Sequence, residues 1–123
     1  AAAAFDSART ELAALVVQAP EEAAYRSSLG LALAGLGLVD EAIAEGREGL
    51  RLMPPEVEAW RGSRRLADLA RIYAMTGRND EAIEQLEHLM SIPGDMSAWE
   101  LRLDPTWDAL RGDPRFEALT AVD

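Results

Sequence analysis

Residues 34–43 read Ala34-Gly35-Leu36-Gly37-Leu38-Val39-Asp40-Glu41-Ala42-Ile43. Forty residues later the chain repeats the end of this stretch without change, as Asp80-Glu81-Ala82-Ile83. The repeat keeps step on the amino-terminal side as well, where Ala74 and Gly77 stand opposite Ala34 and Gly37. A similarity at a fixed period is typical of a fold in which copies of one small unit are stacked.

Apolar residues recur at helical spacing on both sides of each of these two glycines. In the first copy they are Leu29, Leu33 and Leu36 before Gly37, and Ala42, Ile43 and Leu50 after it. In the second copy they are Leu66, Leu69, Ile72 and Tyr73 before Gly77, and Ala82, Ile83, Leu86, Leu89 and Met90 after it. Each copy is therefore predicted to be a hairpin of two helices.

Three kinds of residue predict where these helices begin and end. Gly37 and Gly77 suit the left-handed position that ends a first helix. Asp6, Asp40 and Asp80 are predicted to be the N-caps of the second helices. Pro20, Pro54 and Pro93 are predicted to lie near the ends of those second helices, since proline breaks the hydrogen-bond ladder.

In this pattern the chain resembles the tetratricopeptide repeat (TPR) family, whose unit is a helix, a turn and a helix of about 34 residues. Residues 23–56 match its motif positions with Leu29-Gly30, Leu33, Ala42, Gly49 and Pro54, and residues 57–94 with Leu66, Leu69-Ala70, Tyr73, Ala82, Leu86 and Pro93. Residues 5–20 match a lone second helix through Ala8, Leu12, Leu15 and Pro20. The resemblance implies an all-α domain over residues 1–123, a TPR-like solenoid of antiparallel helix hairpins.

The chain departs from the family pattern at two places. Gly46 stands where the family usually has a large side chain, and close approach of the neighbouring unit is the expected compensation. Six extra residues, 57–62, are predicted to extend the next first helix from about Pro55 to Thr76. Trp60 in this extension either fills the volume left at Gly46 or lies on the surface.

Residues 97–123 are predicted to be capping helices that cover the open end of the last repeat. Ser97-Ala98-Trp99-Glu100 is a capping box, and Asp104-Pro105 and Asp113-Pro114 each combine an N-cap with proline at the first helical position. The apolar residues expected to cover the repeat are Trp99, Leu101, Leu103, Trp107, Leu110, Phe116 and Leu119. This ending also resembles TPR regions that follow a kinase, cyclase or winged-helix domain in bacterial regulators.

The composition excludes several classes of function. The net charge of −10 disfavours binding to nucleic acid or an anionic membrane, and the absence of Cys and Lys excludes thiolate zinc sites and Schiff-base chemistry. His88, four residues after Glu84, is interpreted as a surface contact and not as a catalytic or metal-binding group. We therefore expect no cofactor, no metal and no catalysis. With neither a membrane-spanning run nor a signal peptide, a cytoplasmic location is predicted.

Residues 61–78 carry a net positive charge, in contrast to the whole chain. Their one acidic residue is Asp68, and their five basic residues are Arg61, Arg64, Arg65, Arg71 and Arg78. The resemblance implies that first helices line a concave groove, and its predicted lining is Ala24, Ser27, Leu31, Ala34, Arg64, Ala67, Asp68 and Arg71. The arginines either bind an acidic or C-terminal peptide through its carboxylate or are neutralised by Asp68 and by acidic neighbouring helices.

The predicted function is a non-catalytic scaffold that binds a protein or peptide in this groove. The alternative is a regulatory C-terminal arm of a larger bacterial signalling enzyme or transcription regulator, acting on its own polypeptide. A lone second helix would leave Ala8, Leu12 and Leu15 partly uncovered, so upstream repeats or a homodimer through this helix are expected to cover them.

Overall fold

The structure, a computed structural model, describes residues 2–92 and 98–121, and over these ranges it contains helices and no strand. The elements are α1 (Ala2–Gln18), α2 (Ala23–Gly35), α3 (Val39–Leu52), α4 (Ala59–Met75), α5 (Asn79–Met90), α6 (Ala98–Leu103), a 3₁₀ helix (Pro105–Leu110) and α7 (Pro114–Thr120). The predicted all-α class is confirmed. Within the same ranges, no helix combines the length and the apolar character that crossing a bilayer requires.

Two equivalent turns join α2 to α3 and α4 to α5. Gly37 and Gly77 both adopt a left-handed backbone with φ of +78°, as the sequence predicts. In the first turn the N–H of Gly37 donates to the carbonyl of Ala34, and the N–H of Leu38 donates to that of Leu33, both at 3.0 Å. The second turn repeats both bonds at the equivalent residues, so the two turns share their backbone geometry and not only their sequence.

The prediction that three aspartates are N-caps is wrong. Leu38 and Arg78 occupy the N-cap positions of α3 and α5, and Asp40 and Asp80 are the second residues of these helices, within the first turn. The glycine turns are so short that the chain re-enters a helix before the aspartate is reached. The carboxylates still lie at helix N-termini, where the helix dipole favours negative charge. Asp6 is inside α1, which begins about one turn earlier than predicted.

The extended helix α4 also begins later than predicted. It is 17 residues long against 13 for α2, but it starts at Ala59, because residues 55–57 form a turn after Pro54. The carboxylate of Glu58 caps it by accepting a hydrogen bond from the N–H of Arg61 at 2.5 Å. Pro20 and Pro54 follow the ends of α1 and α3 as predicted, and Pro93 lies outside the described residues.

Small residues bring α2 and α3 close together. A Cβ placed on Gly30 would lie 3.0 Å from the carbonyl oxygen of Ala42, and one on Gly49 would lie 2.5 Å from Ser27 Oγ. The middle of α2 therefore meets the start of α3, while the start of α2 meets the end of α3, which makes the pair antiparallel. Larger side chains at these glycines would force the two helices apart.

The volume left at Gly46 is filled by Ile72 of α4 and not by Trp60. A Cβ on Gly46 would lie 2.7 Å from Ile72 Cδ1, whereas the side chain of Trp60 is 55% exposed. Of the two alternatives for Trp60, the surface position is the correct one. The expected close approach to Gly46 is present, because α4 packs against both α2 and α3.

The segment after α5 packs on α4 and α5 through its 3₁₀ helix and α7, while α6 packs on α7; its side chains Leu101, Trp107, Leu110 and Phe116 are all buried. Asp104 and Asp113 are its N-caps as predicted; their carboxylates accept the N–H groups of Thr106 and Arg115, each at 2.9 Å. The predicted cap Ser97 lies outside the described residues.

Two residues that were expected to be covered in this segment are exposed instead. Trp99 is 56% and Leu103 75% exposed, while Leu119 is partly buried. Leu101 faces the core, and residues two positions away on a helix point to the opposite side. A six-residue helix that buries Leu101 therefore turns Trp99 and Leu103 toward solvent.

Helix α1 packs on α2 and is only partly covered. Val16 is buried, and Ala8, Leu12 and Leu15 are half-buried, in agreement with the predicted partial exposure. Val17 on the opposite side is 81% exposed.

Candidate functional site

The α2 part of the predicted groove is largely closed. Ser27 is fully buried with its hydroxyl against Gly49, and Ala34 is also buried, so neither can reach a ligand. Ala24 and Leu31 are half-buried. The resemblance to the TPR family, which implied that these four residues line a groove, does not reveal how closely α3 and α4 pack on α2.

The α4 part of the prediction lies in an open cavity of about 550 Å³ between α4 and α6, which we call the α4–α6 cleft. Its walls include the four predicted residues Arg64, Ala67, Asp68 and Arg71. They also include three residues that the sequence interpretation did not assign to a site, Leu89, Trp99 and Leu103. The i, i+4 spacing of Trp99 and Leu103 around the core residue Leu101 was the available signal.

Internal ion pairs neutralise three of the five arginines. Arg65 pairs with Asp68 at 3.2 Å and Arg78 with Glu81 at 3.3 Å, both within one helix. The third, Arg71 of α4, pairs with Asp104 at 3.0 Å. The alternative of internal neutralisation therefore accounts for most of the positive stretch.

Arg61 and Arg64 differ from these three, because neither forms an ion pair within the part of the chain that the structure describes. The guanidinium of Arg64 lies over the ring of Trp60, 5.6 Å from its centroid, on the exposed side of α4. A cation stacked on an exposed ring keeps its in-plane donors free for a carboxylate. Arg64 is thus the cation of the cleft that is available to a ligand.

Asp68 is the most strongly buried carboxyl of the cleft. Its burial raises its pKa above the usual value, and the nearby cations Arg65, Arg71 and Arg64 only partly oppose this effect. Because burial disfavours the charged form of this carboxyl, it depends on the neighbouring positive charges to be ionised. Asp68 therefore keeps Arg65 in place and is not an open ligand group.

Arg71 joins α4 to the C-terminal segment. Its Nη1 donates to Asp104 Oδ2 at 3.0 Å and to Thr106 Oγ1 at 3.3 Å, and its guanidinium lies 5.3 Å from the ring centroid of Trp107. For this arginine the sequence left ligand binding and internal neutralisation open, and its Nη1 is used in joining α4 to the C-terminal segment.

The Arg71–Asp104 pair makes stability depend on pH. Burial disfavours the Asp104 carboxylate, but hydrogen bonds from Thr106 and Arg71 outweigh burial and lower its pKa below the usual value. Because the pKa is lowered on folding, this contribution is present above the pKa of the unfolded chain, about 3.9, and is lost as the pH falls through the folded value.

We expect Asp104→Asn to lower the free energy of unfolding by about 1 kcal/mol at pH 7, since asparagine keeps the N-cap but loses the charge. The deficit should shrink as the pH falls below about 4, where the carboxyl of the unfolded chain becomes protonated, and should vanish below the lowered pKa of the folded protein. Urea unfolding at a series of pH values measures it. A deficit that stays constant down to the acid limit would contradict the role of the charge.

A second, smaller cavity of about 240 Å³, which we call the α2–α4 depression, lies on the other side of Arg64. Its walls include Ala24 of α2, Met53 after α3, and Arg61, Arg64 and Arg65 of α4. Of the predicted α2 residues, Ala24 is thus the one that reaches a cavity together with Arg64. Met53 was not predicted, because it follows the helical pattern of α3 and carries no motif.

Neither cavity contains the side chains for metal binding. Among residues 2–92 and 98–121, no three His, Asp or Glu side chains are grouped as a metal would require. His88 is exposed in the last turn of α5.

No protein-family model, curated protein or solved structure matches the chain. Its function must therefore be inferred from the contacts and charges of the described residues.

Proposed function

We propose that the chain is a non-catalytic interaction module, a TPR-like solenoid whose α4–α6 cleft binds a segment of a protein. Support for the solenoid comes from the two helix pairs, α2 with α3 and α4 with α5, which share their turn geometry at Gly37 and Gly77. The packing of α4 on both α2 and α3 is the contact that stacked units need.

The binding proposal is supported by the apolar and cationic side chains that line the cleft together. Trp99 and Leu103 are exposed side by side, and Arg64 lies across from them without an acidic partner among the described residues. Trp and Arg are the residues most enriched at the energetic centres of protein interfaces. The cleft would make the same contacts with a bound segment of another protein as with a segment of its own polypeptide.

Selection from a displayed library of random peptides, followed by NMR, tests this proposal. The selected peptides should shift the indole N–H signal of the exposed Trp99 and leave that of the buried Trp107 nearly unchanged. Leu103→Glu should abolish binding, since it places a charge on the apolar wall. Val17→Glu, which makes the same change of charge at an exposed apolar residue of α1, is the matched control and should bind as the wild type does.

Two outcomes would contradict the proposal. One is that no peptide is enriched over the library background. The other is that the enriched peptides bind Leu103→Glu and the wild type equally, which would place the interaction elsewhere on the molecule.

A further inference from the structure

The α4–α6 cleft and the α2–α4 depression are separated by a single ridge. Arg64 and Arg65 line both cavities, so their side chains form this ridge. Arg65 is held by Asp68 and its side chain is only 14% exposed. Arg64 is exposed and has no acidic partner among the described residues, so it is the free guanidinium on top of the ridge.

Apolar side chains lie on both sides of the ridge. On the α6 side the exposed Trp99 and Leu103 line the cleft, together with the buried Leu89 of α5. On the α2 side the depression offers Ala24 and the half-buried Met53. A bound segment that crosses the ridge therefore meets an apolar surface before it and another after it, with a cation between them.

The charges at the ridge favour an acidic group. Asp68 and Asp104 in the cleft already hold Arg65 and Arg71, and the exposed Glu100 lines the same cleft. Glu22 stands exposed at the far wall of the depression. Arg61, in the first turn of α4, also lines the depression and adds to the positive charge beside Arg64.

We propose that the occupant is a protein segment in which an internal Asp or Glu lies between two large apolar residues. Its carboxylate is held by Arg64, and its apolar side chains enter the two cavities. A C-terminal carboxylate on Arg64 would leave one of the two cavities empty, because the chain would continue on one side only. This inference rests on the proposed function, and it narrows that function to one pattern of residues.

Fluorescein-labelled synthetic peptides test the pattern directly on the unaltered protein. The parent peptides carry a central Glu with Phe on one side and Leu on the other, at several spacings and in both orders. For the parent with the highest affinity, replacing Glu by Gln should weaken binding about tenfold, as loss of a charge-assisted pair does. Peptides that end at the Glu, or that have Ser in place of either apolar residue, should be weakened by a similar factor.

The protein variants should reproduce these losses. Arg64→Gln should weaken binding of the Glu parent about tenfold and have little effect on the Gln peptide, so that the two losses are not additive. Ala24→Glu should weaken the parent by placing a carboxylate in the α2–α4 depression. Arg9→Gln on α1 removes the same charge far from the ridge and serves as the control. Higher salt should weaken the Glu parent more than the Gln peptide.

The results separate the two proposals. Binding that is insensitive to the central Glu, or that survives when the peptide ends there, overturns the internal acidic pattern and leaves peptide binding in the cleft standing. If neither the designed nor the library peptides bind, and the Trp99 signal does not move, both proposals are overturned. The inference is supported if binding weakens when Gln replaces the central Glu and also when Ser replaces either of the flanking apolar residues.

Discussion

Trp107→Ala is expected to lower the free energy of unfolding by about 3 to 5 kcal/mol, as truncation of large buried aromatic residues does. The side chain is fully buried in the core between the C-terminal segment and α4. Its removal leaves a cavity and also takes away the ring on which the guanidinium of Arg71 lies. Urea unfolding monitored by circular dichroism measures the loss.

Trp107→Phe is the matched control and should cost much less. Phenylalanine keeps most of the apolar ring, and it removes an indole N–H that is buried without a hydrogen-bond acceptor in the described structure. If Trp107→Ala were as stable as the wild type, the C-terminal segment would not pack on α4, and the α4–α6 cleft would have no α6 wall.

Much of the fold could be predicted because its signals are local. Gly37 and Gly77 end their helices by a backbone conformation that glycine adopts most easily, and Asp104-Pro105 starts its helix with adjacent residues. These features depend on a few neighbours along the chain, so sequence alone indicates them. The all-α class follows from the same local patterns.

The details of packing and capping that the sequence did not predict depend on tertiary contacts and on the exact turn geometry. The sequence shows that Gly46 leaves a space, but not that Ile72 fills it and Trp60 does not. Likewise, aspartate suits an N-cap, yet Asp40 and Asp80 lie two residues after the N-cap because the helices begin sooner after the glycine turns than expected. Packing and turn geometry determine where Trp60, Asp40 and Asp80 lie, and a short sequence motif does not specify either of them.

The candidate site was likewise predictable only where its residues are close together in the sequence. Helical periodicity puts Arg64, Asp68 and Arg71 on one helix face, and all three line the α4–α6 cleft because they belong to α4. It could not show that Arg71 is held by Asp104, 33 residues further along the chain. The exposed wall of Trp99 and Leu103 was missed because an apolar segment after the repeats was expected to be buried throughout.

Ala42→Leu and Ala82→Leu are each expected to lower the free energy of unfolding by about 1 to 3 kcal/mol through overpacking. Both alanines are fully buried near the start of the second helix of their pair. Ala42 lies where α2 comes closest to α3, with its carbonyl oxygen beside the position of Gly30. A leucine in either place has no free volume to enter and must push the two helices of its pair apart.

The matched control is Ala44→Leu, two residues along the same helix as Ala42 but exposed, which should change stability by no more than about 0.5 kcal/mol. The comparison between Ala42 and Ala82 also tests the repeat itself. If the two helix pairs are copies of one unit, leucine meets the same crowding in both and the two losses should be similar. A large loss at one alanine with none at the other would mean that the forty-residue sequence repeat is not matched by equivalent packing.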